Sequence, residues 1–371
     1  MHYVSKQAFM KLRSKHWFTQ QTIAAEKRWR QEHRKQISDR IQTDIIIVTA
    51  PEVLSFTQNS VGTIAFFDEL KKAIFTREVF KRKGKVRHKN MRLNLVDIKQ
   101  ISLPCAVVLS AELKRWTRVK KFIPQLRDFQ KWDRRVKSLL IDLGTLKHLG
   151  IAENKYKNYR DTGFPGQVVL VELTSASVQD GEKIAKLQDD IGEIAKFFEP
   201  KTYIFRALLE ATNNVIEHAY KDDFPLKYSD GGEKRWYATA SYDPNKGALR
   251  FFVYDQGGGI PASLRSQNDW KGAITEFFQR ASLAQHDSEM IAAAFEIGKT
   301  STEKSERGKG LKDMLDVLSA AGSGHLRVVS GQGDYTAYAD GTVEKGLHGS
   351  HIGGTLVEWS IPIHAITSEN H

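Results

Sequence analysis

The chain has 371 residues, a formal net charge of +12 and a single cysteine, Cys105. That length accommodates two or three domains, and one cysteine excludes both an internal disulfide and a cysteine-built metal cage. The longest apolar run, residues 103–109, falls far short of the ~20 residues that span a bilayer, and the basic start lacks the apolar core of a secretory signal, so a cytoplasmic protein without a membrane segment is expected.

The positive charge is concentrated in two places. Residues 1–44 hold ten Lys/Arg against four acids and residues 71–92 hold ten against one, which contributes +6 and +9 and leaves −3 for the rest. Such patches attract nucleic acid or another acidic surface. Residues 1–44 read as a basic helical arm in which Ile23, Trp29 and Ile37 stand among charges without a continuous apolar face. That is the pattern of a solvated or partner-docking segment.

Residues 45–160 read as a smaller α/β domain. The run Ile45-Ile46-Ile47-Val48, bounded by Pro51, predicts a buried strand. Ile64, Phe67, Leu70 and Ile74 recur at spacings of three and four and predict a helix over 61–75. An alternating strand is predicted at 92–97, a helix at 104–116 with Pro104 in its first turn, and a strand at 139–143. Alternating strands and helices predict a sheet with helices packed on it. Residues 163–167, with Pro165 between two glycines, read as a linker. Beyond it a strand is predicted at 168–172, helices at 180–198 and 202–220, and two neighbouring strands at 236–242 and 249–254, joined by turn residues 243–247.

Four short motifs follow one another across residues 210–355. In the first, Glu210, Asn214 and His218 are four apart and share one face of a helix. Mg²⁺ takes oxygen ligands and keeps waters while bridging phosphates; Asn214 can supply one such oxygen, and Glu210 can act as a general base. A solvated helix face gives the same pattern. In the second, Asp255 ends an apolar strand, where its carboxylate can accept from an exocyclic amine such as adenine's, and Gly257 and Gly259 permit close backbone approach. No βαβ unit follows, so this is not a dinucleotide-binding fingerprint. In the third, Arg307, Gly308, Lys309, Gly310 and Leu311 open a helical pattern whose N-terminus suits phosphate. The polar stretch before it suits a lid, with Lys304, Arg307 or Lys309 as charge partners. In the fourth, Gly353 and Gly354 lead to Thr355 at the start of an apolar strand.

The order E-x-x-x-N, D-x-G-x-G-I, G-x-G-L and G-G-T resembles the N box and three glycine boxes of the GHKL (Bergerat-fold, histidine-kinase-like) ATPases. For residues 161–371 this implies an α/β sandwich, a mixed sheet under helices, with ATP and Mg²⁺ held between the helical layer and the lid. It implies Glu210 as catalytic base, Asn214 as Mg²⁺ ligand, Asp255 as adenine reader, and Gly257, Gly259, Gly308 and Gly310 as backbone cradle. Thr355 becomes a second adenine contact, and His218, Ile260 and Leu311 belong to the same nucleotide-binding set.

Within that family the run from Glu210 to Tyr220 is similar to the anti-sigma-factor-type serine kinases. Sensor kinases commonly carry Lys-Tyr where this chain has Glu217 and His218, and His33, followed by Arg34 and Lys35, does not resemble their acceptor histidine. The GHKL branch that places a lysine from a following domain on the γ-phosphate would need that group from the lid, another subunit or a partner here. In the stretch 94–113, NLVDIKQISLPCAVVLSAEL, a buried strand meets a helix through a short turn; on it residues 45–160 resemble the STAS domain, although an ordinary βα unit reads the same way. At the turn where switch members carry Asp-Ser-Ser-Gly, this chain has Ser102, Leu103, Pro104 and Cys105, so a docking or assembly role is expected in place of a phospho-switch. The expected function is that of an ATP- and Mg²⁺-dependent ATPase switch in a regulatory system, with a protein partner and within a homo-oligomer or larger complex. Two alternatives stand beside it: a protein serine/threonine kinase, and a nucleotide-sensing adaptor that binds nucleic acid through 1–44 and 71–92.

Overall fold

The computed structural model describes residues 45–363 except 77–78, 83–84, 89, 122–124, 127, 160–167, 178–179, 195–200, 221–227, 229–233, 267–270, 282–284 and 301–308. The basic arm, the 163–167 linker and three of the expected phosphate-binding residues, Lys304, Arg307 and Gly308, lie outside the described residues.

The first half is built on a parallel sheet in the spatial order Ile45–Thr49, Asn90–Asn94, Gln125–Leu126. Parallel neighbours need crossover connections, and helices Ser60–Phe75 and Leu103–Lys120 lie on these crossovers and pack together. The side chain of Asn59 caps the first by accepting from the Gly62 N–H. Pro104 stands in the first turn of the second, as its missing N–H allows. The strand expected at 139–143 is instead the end of a helix, Arg134–Asp142. Asp133 caps that helix by accepting from the N–H groups of Arg135 and Val136, and Val136 and Leu140, one turn apart, are both buried. A five-residue apolar run reads the same as a strand or as the inner face of a helix. Within the basic stretch 71–92, strands Val79–Arg82 and Lys85–His88 pair as an unanticipated antiparallel hairpin.

The described residues of the second half form an eight-stranded sheet. Its path runs Val343–Leu347, Gly333–Tyr338, His325–Ser330, Thr355–Pro362, Ala248–Asp255, Trp236–Asp243 and Val169–Leu170, with Thr174–Ala176 also pairing Trp236–Asp243. Every pairing within this sheet among the described residues is antiparallel, where a mixed sheet was expected. The expected hairpin is present: Asp243 Oδ1 accepts from the N–H groups of Asn245 and Lys246 in its turn.

Both faces of this sheet are covered. On one, Trp236, Ala238, Ala240, Phe251, Val253 and Trp359 are buried with Ile204, Leu208, Met314 and Leu318. Those partners come from helices Lys201–Asn214 and Lys309–Ala321. Successive strand residues point to opposite faces, and Tyr237, Tyr254 and Leu356 belong to a different core. They pack with Phe66, Phe67 and Val108 of the two N-terminal helices. The expected sandwich of one sheet and one helical layer therefore gains a third layer from the first half of the chain. No helix among the described residues is long and apolar enough to cross a membrane.

Candidate functional site

Two spacing-four stripes meet at the helical layer. Glu210 and Asn214 lie on the last turns of Lys201–Asn214, and Gly310 and Met314 lie on Lys309–Ala321. A Cβ on Gly310 would collide with Glu210 Oε2, so the absent side chain is what lets the carboxylate lie against the first turn of the second helix. Burial, then Asp313 and Glu217, raise the Glu210 carboxyl above its ordinary range. Asn214 directs its Nδ2 at Met314 Sδ, 3.9 Å away. Its amide oxygen makes no hydrogen bond among the described residues.

The stripe does not continue to His218 with α-helical spacing. Residues Val215–Ala219 form a π-turn, a widening that recurs at functional sites. It changes the rotation per residue, and His218 Nε2 lies 3.7 Å from Glu217 Oε2. The same π-turn serves the glycine motif. Gly258 N–H donates to the Ala219 carbonyl at 2.8 Å, and a Cβ on Gly257 would strike that carbonyl.

Asp255 is the last residue of its strand and is 3% exposed. It accepts from the Gly257 N–H at 2.7 Å, and the N–H and hydroxyl of the neighbouring Thr355 act to hold its pKa down. Burial outweighs these donors and pushes its pKa up to about 6. Beyond Thr355 the chain of bonds continues: Thr355 Oγ1 is 2.9 Å from Ser330 Oγ, which accepts from the Ile260 N–H at 2.8 Å. Gly354, at φ +143, lies so close that a Cβ would collide with the Asp255 carbonyl. Gly259, at φ +87, turns the chain toward Ile260. Leu311 is half-buried and joins the cores on either side of the Lys309–Ala321 helix.

The structure thus brings Glu210, Asn214 and Gly310 together at one place and Asp255, Gly257, Gly259, Ile260 and Thr355 at another, with the π-turn connecting the two. Sequence reasoning missed Ser330, whose fully buried hydroxyl links Thr355 to Ile260 and which no motif marks. It also gave no role to Tyr220, whose OH accepts from the Gln256 N–H at 3.0 Å and donates to the Arg235 carbonyl at 2.9 Å. Tyr220 closes the quoted Glu210–Tyr220 run, so its position was visible and its partner was not. Among the described residues no group of three or more His, Cys, Asp or Glu is arranged to hold a metal. No protein-family model matches the chain, and no curated protein sequence matches it.

Proposed function

We propose that the chain binds ATP with Mg²⁺ at the junction of these two clusters and acts as a GHKL-type ATPase switch. The residues present fit such a ligand. A carboxylate has about four acceptor positions; Asp255 uses one on the Gly257 N–H and faces Thr355, which leaves capacity for the exocyclic amine of adenine. Gly257 and Gly354 let backbone approach backbone around this residue, since a Cβ on the first would strike the Ala219 carbonyl and one on the second the Asp255 carbonyl. The N-terminus of the Lys309–Ala321 helix offers the positive end of its dipole to phosphate. Asn214 can offer one oxygen to a hard cation that takes its other ligands from phosphate and water.

The observation that carries this reading is the contact between the Glu210 carboxylate and Gly310. It sets a carboxylate against the first turn of the Lys309–Ala321 helix, where this reading puts phosphate, although the two lie far apart in the chain. ATP would supply the phosphoryl group, and Mg²⁺ would neutralise its charge. Glu210, its basicity raised by burial and by Asp313, would take the proton of an attacking water or hydroxyl. Asp255 and Thr355 would hold the base end.

Titration of the folded chain with labelled ATP and Mg²⁺ tests the reading, and saturable binding is the expected result. Absence of saturable uptake would sink it. Phosphate release without protein labelling then identifies an ATPase, and label on a partner Ser or Thr identifies a kinase.

A further inference from the structure

Beneath the adenine-reading pair, on the sheet face away from Glu210, three charged side chains of the first half are almost wholly buried. Lys71, Glu112 and Arg115 have side chains 1%, 0% and 2% exposed. Glu112 Oε1 is 3.8 Å from Lys71 Nζ, and Glu112 Oε2 is 3.4 Å from Arg115 Nη1. Buried ion pairs carry a desolvation cost that often exceeds their attraction, so they contribute little to stability against an apolar replacement. Lys71 and Arg115 hold backbone, and Glu112 holds the side chains of Gln256 and Tyr254 beside it.

Arg115 Nη2 donates to the Gln256 carbonyl at 3.1 Å, one residue beyond Asp255. Gln256 is tied at every other polar atom as well. Its Nε2 donates to Glu112 at 2.9 Å, its Oε1 accepts from Arg118 at 3.2 Å, and its N–H reaches Tyr220. The second backbone segment of the pair is held from the same side. Lys71 donates to the Ile352 carbonyl, and Tyr254 OH bridges Glu112 at 3.2 Å and the Gly353 carbonyl at 3.4 Å. Gly353, at φ +80, has no Cβ, and one there would strike the Lys71 ammonium. The segments bearing Asp255 and Thr355 are therefore both anchored to helices Ser60–Phe75 and Leu103–Lys120.

Resting on the nucleotide-binding reading above, we infer that Lys71, Glu112 and Arg115 are positioning residues for the adenine end of the site. The N-terminal layer is then a working part of that site. A shift of either N-terminal helix moves the Asp255 and Thr355 backbones and changes nucleotide affinity. By reciprocity, nucleotide binding stabilises those helices in place. Glu210 stands on the opposite layer, so affinity and turnover respond separately.

The test uses the full chain, with Mg²⁺-ADP binding by calorimetry and ATP turnover at saturation. Arg115→Met removes the Gln256 carbonyl anchor, and Gln256→Met cuts the side-chain ties to Glu112 and Arg118 from the sheet side. Leu140→Ala opens a cavity in the same N-terminal core without touching the network and controls for loss of stability. The two network variants are expected to raise the nucleotide Kd at least about tenfold and to keep saturated turnover within about threefold. Leu140→Ala is expected to lower Tm while leaving Kd within about twofold. Arg115→Lys, which keeps one donor, is expected to recover part of the affinity. If Arg115→Met fails to fold, Gln256→Met carries the comparison, since it removes no charge. Wild-type Kd in the folded network variants, or an equal rise of Kd in Leu140→Ala, overturns the inference and leaves nucleotide binding intact. A wild-type chain that binds no nucleotide overturns both.

Discussion

Ser330 Oγ lies 2.9 Å from Thr355 Oγ1, so the two buried hydroxyls share one hydrogen bond. Ser330 accepts from the Ile260 N–H, and Thr355 stands beside Asp255, whose carboxyl pKa it lowers. The two hydroxyls thus link a backbone N–H to the neighbourhood of a buried carboxylate. Ser330→Ala leaves the Ile260 N–H without its acceptor and the Thr355 hydroxyl without its Ser330 partner. A loss of about 1–3 kcal/mol is expected in urea denaturation, together with weaker nucleotide binding. Wild-type values in both would show that the hydroxyls do not act in series.

Asp255 titrates at about 6 when folded, against an ordinary value of 3.8. Between these values the folded chain binds more protons than the unfolded one. The contribution of this group to stability is therefore greatest below pH 3.8 and falls as the pH rises through 6. Asp255→Asn abolishes that fall. The nucleotide-free variant is expected to exceed wild type by up to about 3 kcal/mol near pH 8 and to converge with it near pH 4. It is also expected to bind nucleotide at least about tenfold more weakly, because an amide oxygen is a poorer acceptor than a carboxylate. Thermal melts across the pH range check the first claim, and a variant that tracks wild type throughout would contradict it.

Glu210→Gln keeps the shape beside Gly310 and removes the proton acceptor. Turnover is expected to fall at least about a hundredfold while ATP affinity stays within about threefold. Because burial and Asp313 raise the Glu210 carboxyl, the acid limb of the wild-type pH–rate profile should lie above the usual carboxylate range. Full turnover in the variant would remove the base.

Gly354→Ala combines a left-handed backbone with a collision at the Asp255 carbonyl. A loss exceeding about 2 kcal/mol is expected by denaturation. Gly322→Ala also has positive φ but opens into free space, and should cost about 1 kcal/mol. Equal losses would assign the whole effect to strain and none to the close approach.

The local elements were legible where spacing and capping agreed. Ile64, Phe67, Leu70 and Ile74 announced their helix, and the turn at Asp243 announced its hairpin. Residues 139–143 misled because a short buried helix face and a buried strand carry the same apolar residues. Asp255 and Thr355 stood out beside their glycines, and the structure places them in contact. The π-turn after Asn214 was illegible, since nothing in Val215–Ala219 marks an extra residue per turn, and so the expected stripe ran on to His218. The third layer was hidden for another reason. Lys71, Glu112 and Arg115 look like solvated helix charges until the strands that receive them are known, because long-range pairing leaves no local pattern.

Covering the sheet on both faces also sets an order of events during synthesis. The N-terminal layer leaves the ribosome before the strands it will meet, and Glu112 and Arg115 must stay hydrated until the stretch from Trp236 to Gln256 arrives. The nascent chain therefore holds an incomplete interior until that stretch emerges. A fragment starting at residue 168 would have the opposite defect: Tyr237, Tyr254 and Leu356 would face water, and the fragment would be sticky where the intact chain is sealed.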